Sequence, residues 1–320
     1  MTPNRLHHVY GPVPSRRLGR SLGVDLVPFK TCTYDCVYCQ LGRTTRLTLE
    51  RQPYVPVDAL LAEIKASLAS GSAPDYIGLA GSGEPTLHSG IGELIQGIKA
   101  ITSIPIAVLT NGSLLWMPEV RHALMQADLV LPSLDAGDPE TFQKVNRPQD
   151  QLCFAQIAEG LAIFTRDFPG EVWLEVFLLA GINDNPASIA NLADLARKIR
   201  PARVQLNTVT RPPVESLARA LAPERLQELL SAFPGRVEII CDGAAEAIPT
   251  ETLRIEDAQI LALLGRRPCT PRDVACGLGL HELETLKHLD RLVAAGTVGI
   301  VETGGRSYYT LATPISGGQA

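Results

Sequence analysis

From residue 57 onward the apolar positions alternate between two periods. Val57, Leu60, Leu61, Ile64 and Leu68 recur at helical spacing and predict an amphipathic helix. Short apolar runs bounded by Gly, Pro, Ser or Asn then predict strands at residues 76–81, 104–110, 128–133, 172–179 and 204–207, with one more at 237–241. Helical stretches fall between them at 91–101, 118–127, 156–168, 189–199 and 224–233. With an earlier strand at 23–27 the chain has about six βα units, a pattern that calls for a mostly parallel sheet covered by helices. Six units fall short of the eight that close a full barrel, so the expected fold is α/β, a partial (β/α)6 TIM-like barrel over residues 1–250.

After Pro249 the periodicity changes. Helical segments at 255–264, 271–277 and 283–295 precede two short strands, 298–302 and 306–311, joined by Gly304-Gly305. Three helices and a hairpin in so short a span predict a winged-helix domain over residues 251–313. The small polar ending, 314–320, reads as a flexible tail.

The polar and glycine residues of the barrel gather just past the strand ends, at 81–86, 110–113, 133–135 and 207–208. In parallel α/β folds that edge carries the ligand site. Immediately after the first strand lies C-x3-C-x2-C, with Cys32, Cys36 and Cys39. Three thiolates this close can wrap one soft metal centre, yet they leave a tetrahedral zinc or a four-iron cluster one ligand short. Zinc would need a fourth ligand, and the only upstream histidines are the distant His7 and His8. The alternative is a [4Fe–4S] cluster with one iron open to a small molecule. Three unrelated buried thiols are the third reading, opposed by the polar Thr33 and Asp35 between them.

Composition narrows the choice. The 320 residues are 45% hydrophobic and 20% charged, enough to bury a sizeable core and too apolar for a disordered chain. The formal net charge of −5 gives no general attraction to nucleic acid or an anionic membrane. No apolar run reaches the roughly 18 residues a spanning helix needs, and residues 1–10 lack a secretory apolar region, so a cytoplasmic, membrane-independent protein is expected. Seven cysteines are too few and odd in number for a disulfide scaffold, and Cys153, Cys241, Cys269 and Cys276 read as buried apolar thiols. The third C-terminal helix mixes Glu282, Glu284 and Asp290 with Lys287 and Arg291, without the basic surplus of a major-groove helix; DNA binding is not expected. In the wing, Arg306, Tyr308 and Tyr309 either clamp a substrate strand or simply pack.

The cysteine loop, residues 30–42, resembles that of the radical S-adenosylmethionine (radical SAM) superfamily, and the likeness runs over roughly residues 10–210. The stretch 10–23 and Asn146-Arg147-Pro148 are further similar to a branch holding the tRNA-wyosine synthases and their bacterial relatives. That family carries additional cysteines before the triad; none precedes Cys32 here, which speaks against wyosine-type chemistry. The resemblance implies a [4Fe–4S] cluster on Cys32, Cys36 and Cys39, S-adenosylmethionine chelating the open iron, and a one-electron donor such as flavodoxin or ferredoxin.

Gly81-Ser82-Gly83-Glu84-Pro85 is similar to the family's Gly-Gly-Glu-Pro segment, with Ser82 for one glycine. A glycine bend lets backbone carbonyls approach a ligand and Glu84 can accept from an ammonium, which the resemblance makes the amino group of S-adenosylmethionine. Thr110, Asn111, Ser133 and Asp135 suit ribose hydroxyls and the methionyl carboxylate, and Tyr38 the adenine. Asn183 and Asn207 are candidates to face cofactor or substrate. Arg147 is either an anion clamp on substrate or a helix-end ion pair. The expected function is reductive cleavage of S-adenosylmethionine to a 5′-deoxyadenosyl radical that abstracts hydrogen from an unidentified substrate: RNA, peptide or small molecule. The alternatives are a wyosine-type tRNA base-modifying enzyme and a metal- or redox-sensing winged-helix regulator on DNA.

Overall fold

The computed structural model describes residues 8–70, 73–240, 257–278, 280 and 282–312. The chain runs β1 (Val9–Ser15), β2 (Gly19–Val24), β3 (Thr31–Cys32), β4 (Arg46–Leu47), α1 (Val57–Ser70), β5 (Tyr76–Leu79), α2 (Ile91–Ile101), β6 (Ile106–Thr110), α3 (Pro118–Leu124) and β7 (Leu129–Pro132). It continues with α4 (Pro139–Asn146), α5 (Phe154–Asp167), β8 (Glu171–Leu178), α6 (Pro186–Ile199), β9 (Arg203–Thr208), α7 (Pro223–Leu229) and β10 (Val237–Ile239). Beyond these lie α8 (Asp257–Leu264), α9 (Pro271–Leu278), α10 (Glu282–Ala294), β11 (Val298–Thr303) and β12 (Arg306–Leu311).

One sheet of eight strands, in the order β1-β2-β5-β6-β7-β8-β9-β10, carries the architecture. Every pairing from β2 to β10 is parallel, so each crossover returns the chain to the same edge through a helix. The alternation of each strand sorts its residues. Leu22, Val24, Ile77, Leu79, Val108, Val130, Leu174, Val176 and Leu206 point outward and meet Ile64, Ile95, Ile98, Leu161, Phe164 and Leu192 from the helices in one continuous core. The inward set is different. Leu18, Ala107, Leu129, Leu131 and Trp173 pack a small plug, while Arg17, Glu175 and Asn207 form a polar layer above it.

Local chemistry fixes the element ends. Asp138 caps α4 through Thr141 N and Oγ1, both at 2.8 Å, and Asn185 caps α6 through Ser188 N at 3.0 Å. Proline follows the cap in α3, α4, α6 and α7, where its missing N–H costs nothing.

The structure departs from the sequence reading in its first two strands and in one helix, and it places the last strand predicted for the barrel in the sheet. The first parallel strand is Gly19–Val24 rather than 23–27, because Asp25 to Val27 already lead into the cysteine loop. An antiparallel strand, β1, precedes it; its Gly, Pro and Ser content hid it from a period-2 search. Helix α4 was not foreseen, being only eight residues with Lys and Asn in its last turn. Strand β10 pairs in parallel with β9 and adds a seventh parallel strand, ending at Ile239.

Helices α8, α9 and α10 and the β11–β12 hairpin share a separate core of Ile260, Leu263, Leu264, Val274, Leu289, Leu292, Val298 and Tyr309. Gly304 and Gly305, both at positive φ, make the hairpin turn. Tyr308 and Tyr309 are buried, so they pack rather than present a stacking platform. This unit lies on the barrel. Helix α9 packs on β1, Tyr308 OH donates to Thr210 O at 2.6 Å, Arg211 pairs with Asp273 at 3.6 Å, and Arg266 pairs with Asp25. The expected domain boundary at 250/251, Cys241 and the 314–320 tail lie outside the described residues. Among the described residues, no helix is long and apolar enough to cross a membrane.

Candidate functional site

The loop from β2 to α1 carries the three cysteines and is clasped from several strand ends. Lys30, at a positive φ of 56°, turns the chain, and its N–H donates to Ser82 O at 2.6 Å. Gly83 is required beside it, because a Cβ there would lie 2.0 Å from Thr31 O. On the other flank Asp35 N and Val37 N donate to carbonyls at the end of α4, and Val214 N and Glu215 N to Cys39 O and Val37 O. The cysteine loop is thereby held between the β5 loop, α4 and the segment after β9.

Each sulfur faces an N–H donor. Lys30 Nζ lies 3.0 Å from Cys39 Sγ, Asn111 Nδ2 3.6 Å from Cys32 Sγ, and Asn146 Nδ2 3.5 Å from Cys36 Sγ. N–H groups aimed at sulfur suit thiolates that carry metal-borne negative charge, and they tune a cluster's potential. Burial pushes the Cys32 thiol up to about 12 and the Cys36 thiol well above its ordinary value, so both stay protonated until a metal takes the proton's place. Three thiols on one loop, each facing its own N–H donor, fit an iron–sulfur cluster.

The other strand-end residues lie close by, and most serve first as struts. Glu84 is almost wholly buried. Its Oε1 accepts from Thr86 N (3.0 Å), Thr86 Oγ1 (2.6 Å) and Thr110 Oγ1 (2.6 Å), and its Oε2 from Asn111 N (2.7 Å). Glu84 thus ties the β5 loop to the β6 loop, and only the second lone pair of Oε2 is left for an ammonium. Burial raises its pKa against the pull of these donors. Asn111 spends its amide on Thr33 Oγ1, Cys32 Sγ and Ser113 N. Asp135 accepts from Tyr38 OH, from Asn146 Nδ2 at 2.8 Å and from Phe177 N at 3.3 Å; burial lifts its pKa to about 6. Tyr38 is stacked on Phe177, centroids 4.0 Å apart. Ser133 is half-buried and bridges β7 to β8 opposite Glu175.

Two candidates are engaged within the protein. Asn183 is fully buried with its amide committed to Leu179 N, Asp135 O and Phe177 O, which locks a turn. Arg147, at positive φ, pairs with Glu215, and Arg43 joins the same carboxylate, which is the helix-end ion pair. Asn207 is buried, donating to Glu175 Oε1 at 2.6 Å. Of the remaining thiols Cys269 is buried as expected, Cys276 is intermediate, and Cys153 is exposed, since it sits at the N-cap of α5.

Four participants escaped the sequence reading. Asn146 stood in a recognisable triplet and Lys30 stood two residues from Cys32, but neither pointed to a sulfur. Asp25 and Arg266 gave no signal: 241 positions apart, they meet behind the β5 loop, where Asp25 also takes Ser82 N at 2.7 Å and Ser82 Oγ at 3.3 Å. Gly81, Ser82 and Gly83 form the upper rim of a cavity of about 1390 Å³ that runs down the inner face of β2 and β5.

Residues 26–196 match the family profile of the radical SAM superfamily. The chain belongs to that superfamily. It is 41% identical over 292 residues to a Brachyspira hyodysenteriae protein named GTPase Obg, covering 91% of this chain and 43% of that one. It is 34% identical over 314 residues to a UPF0026 protein of Helicobacter pylori strain J99, covering 97% and 99%. The chain thus spans less than half of the first relative and nearly all of the second. The GTPase name stays with the Brachyspira protein, because this sequence contains no Gly-Lys pair and hence no Gly-x4-Gly-Lys phosphate loop. In fold, the chain is similar to a radical SAM methyltransferase from Sphaerobacter thermophilus, with a TM-score of 0.53 at 18% identity over 68% of this chain and 66% of that one. The chain is a radical SAM enzyme, with a [4Fe–4S] cluster and S-adenosylmethionine as its cofactors.

Proposed function

We propose that Cys32, Cys36 and Cys39 hold the cluster, that the Gly81–Gly83 rim receives S-adenosylmethionine, and that the reaction is hydrogen abstraction from a substrate lying in the barrel interior. A cluster held there would supply one-electron reduction of S-adenosylmethionine, with electrons from a flavodoxin- or ferredoxin-like donor, which gives methionine and a 5′-deoxyadenosyl radical. The protein's part is to hold and to exclude. Asn111, Asn146 and Lys30 fix the three sulfurs, Glu84 fixes the two loops above them, and the packed helices keep water from the reacting carbon. The observation that carries this reading is the pairing of each cysteine sulfur with its own N–H donor beside the glycine rim.

Residues 251–313 read as a winged-helix domain docked on the barrel, following a barrel domain of residues 1–250. The likeness to the wyosine-synthase branch rests on residues 10–23 and 146–148, of which Asn146 joins Cys36 to Asp135. A DNA-reading regulator is disfavoured, since α10 has no basic surplus and one end of it faces the barrel through Glu282 and Leu286. The test is anaerobic reconstitution with iron and sulfide. The protein is expected to bind about four irons and, with a strong reductant, to release 5′-deoxyadenosine; Cys36→Ala abolishes both. Stoichiometric zinc that added iron does not displace, or activity surviving in Cys36→Ala, overturns the reading.

A further inference from the structure

The cavity below the glycine rim has two walls with the same sign of charge. From the barrel come Arg16, Arg17, Arg20 and Arg211; from the C-terminal unit come Arg266, Arg267, Arg272 and Arg306. Against these eight arginines stand three carboxylates in the lining, Asp75, Asp273 and Glu282, with Asp25 and Glu175 set behind Arg266 and Arg17. Arg17, Arg211 and Arg266 pair with Glu175, Asp273 and Asp25, and the arginines still outnumber these five carboxylates eight to five, although the chain as a whole carries −5. Like charges drawn together across a partly desolvated gap repel, so this arrangement favours an occupant of opposite sign.

The lining is selective in kind as well as sign. It contains no lysine. Arginine presents a planar fork of donors that matches phosphate oxygens two at a time, where lysine offers only a point charge. The strand residues beneath, Ser21, Gly23 and Gly78, are small, so the space lies along the sheet itself. At about 1390 Å³ the cavity exceeds the usual 300–1,000 Å³ of a single ligand site, leaving room for a second molecule beside one at the rim. The aromatic rings that a nucleic-acid strand would stack on are committed: Tyr308 and Tyr309 are buried, and Tyr10 lies under the Arg266 guanidinium at 3.9 Å.

We propose that this cavity binds the substrate, and that the substrate is a small molecule bearing more than one phosphate charge, gripped between the barrel and the C-terminal unit. The inference rests on the radical reading for the word substrate; the anion site itself does not. The probe is tripolyphosphate, titrated calorimetrically into the cluster-loaded full chain at low salt and again at matched higher ionic strength. Binding is expected, weakening as salt rises, and the Arg272→Ala/Arg306→Ala double variant, both positions being exposed, is expected to lose at least about tenfold in affinity. Arg197→Ala, on the outer face of α6, is expected to bind as the parent does. No binding, or equal loss in Arg197→Ala, overturns the proposal. A 5′-phosphorylated RNA oligonucleotide that binds tighter than tripolyphosphate and displaces it overturns the small-molecule assignment. Release of 5′-deoxyadenosine without substrate is measured in parallel. If it occurs while tripolyphosphate is ignored, the radical reading stands and the anion site falls; if tripolyphosphate binds while no cleavage occurs, the reverse holds.

Discussion

Replacing Arg266 by Met tests whether the C-terminal unit sets the shape of the glycine rim. Asp25 is buried, and it is the acceptor for Ser82 N and Oγ as well as for Arg266. Gly81 sits so close that a Cβ on it would lie 1.5 Å from Asp25 Oδ1. Removing the guanidinium leaves a buried carboxylate with only the two serine donors. Breaking a fully buried pair costs about 3–5 kcal/mol, and with Arg266 and Asp25 side chains 19% and 10% exposed the lower end applies, about 2–4 kcal/mol. At roughly 2 °C per kcal/mol for a chain of this size, the melting temperature falls by about 4–8 °C. Asp25→Asn alone turns an amide N–H toward Arg266 and is also destabilising. The double variant removes both the orphaned charge and the clash, so it should be less destabilised than the two single losses added together, with a coupling above about 1 kcal/mol. Thermal melts of the four chains give the coupling, and S-adenosylmethionine affinity is expected to weaken in Arg266→Met alongside it. Additive losses, or unchanged affinity for S-adenosylmethionine, refute the link.

Glu84→Gln must turn its amide N–H₂ toward Asn111 N–H, losing one charged hydrogen bond and opposing two donors. A loss of about 2–4 kcal/mol is expected in denaturant titration, and parent-like stability contradicts the strut role. For Asp135 the folded pKa of about 6 lies above the ordinary 3.8, so the folded state holds the proton more tightly. Its contribution to stability is full below about pH 4 and is lost as pH rises to about 6, by about 3 kcal/mol in all. The stability of the cluster-free chain minus that of Asp135→Asn is expected to fall over this window; a flat difference contradicts it. Lys30→Met removes a positive donor 3.0 Å from Cys39 Sγ, and voltammetry of the cluster-loaded protein is expected to give a more negative reduction potential; an unchanged potential removes Lys30 from the role.

The parallel sheet was legible because each βα unit writes its own period into the chain, and the outward strand residues such as Ile77, Val108 and Leu174 are continuous apolar runs. The cysteine loop was legible because its ligands are neighbours in sequence. What escaped depends on pairs brought together by the fold alone. Asn183 and Asp135 sit at strand ends, where ligand-facing and turn-locking residues have the same composition, so only the hydrogen bonds separate them. The mixed charge of the third C-terminal helix gives no sign that Arg266, Arg267, Arg272 and Arg306, none of them on that helix, line one cavity.

That face also answers a problem the partial barrel creates. A sheet that stops short of closure exposes its edge strands and leaves its interior open along one side. Strand β1 runs antiparallel to β2 and is itself covered by α9, and among the described residues this edge pairs with no further strand. The same docking places Leu263, Arg266 and Arg272 opposite Ser21 and Gly78, turning an open trough into a walled cavity. A reactive carbon radical needs such a wall, since water and solvent thiols would otherwise reach it before the substrate does. On the proposed reading the three-helix unit completes that enclosure. Its arginines stand where the wall meets the trough, which is where the proposed anion site lies.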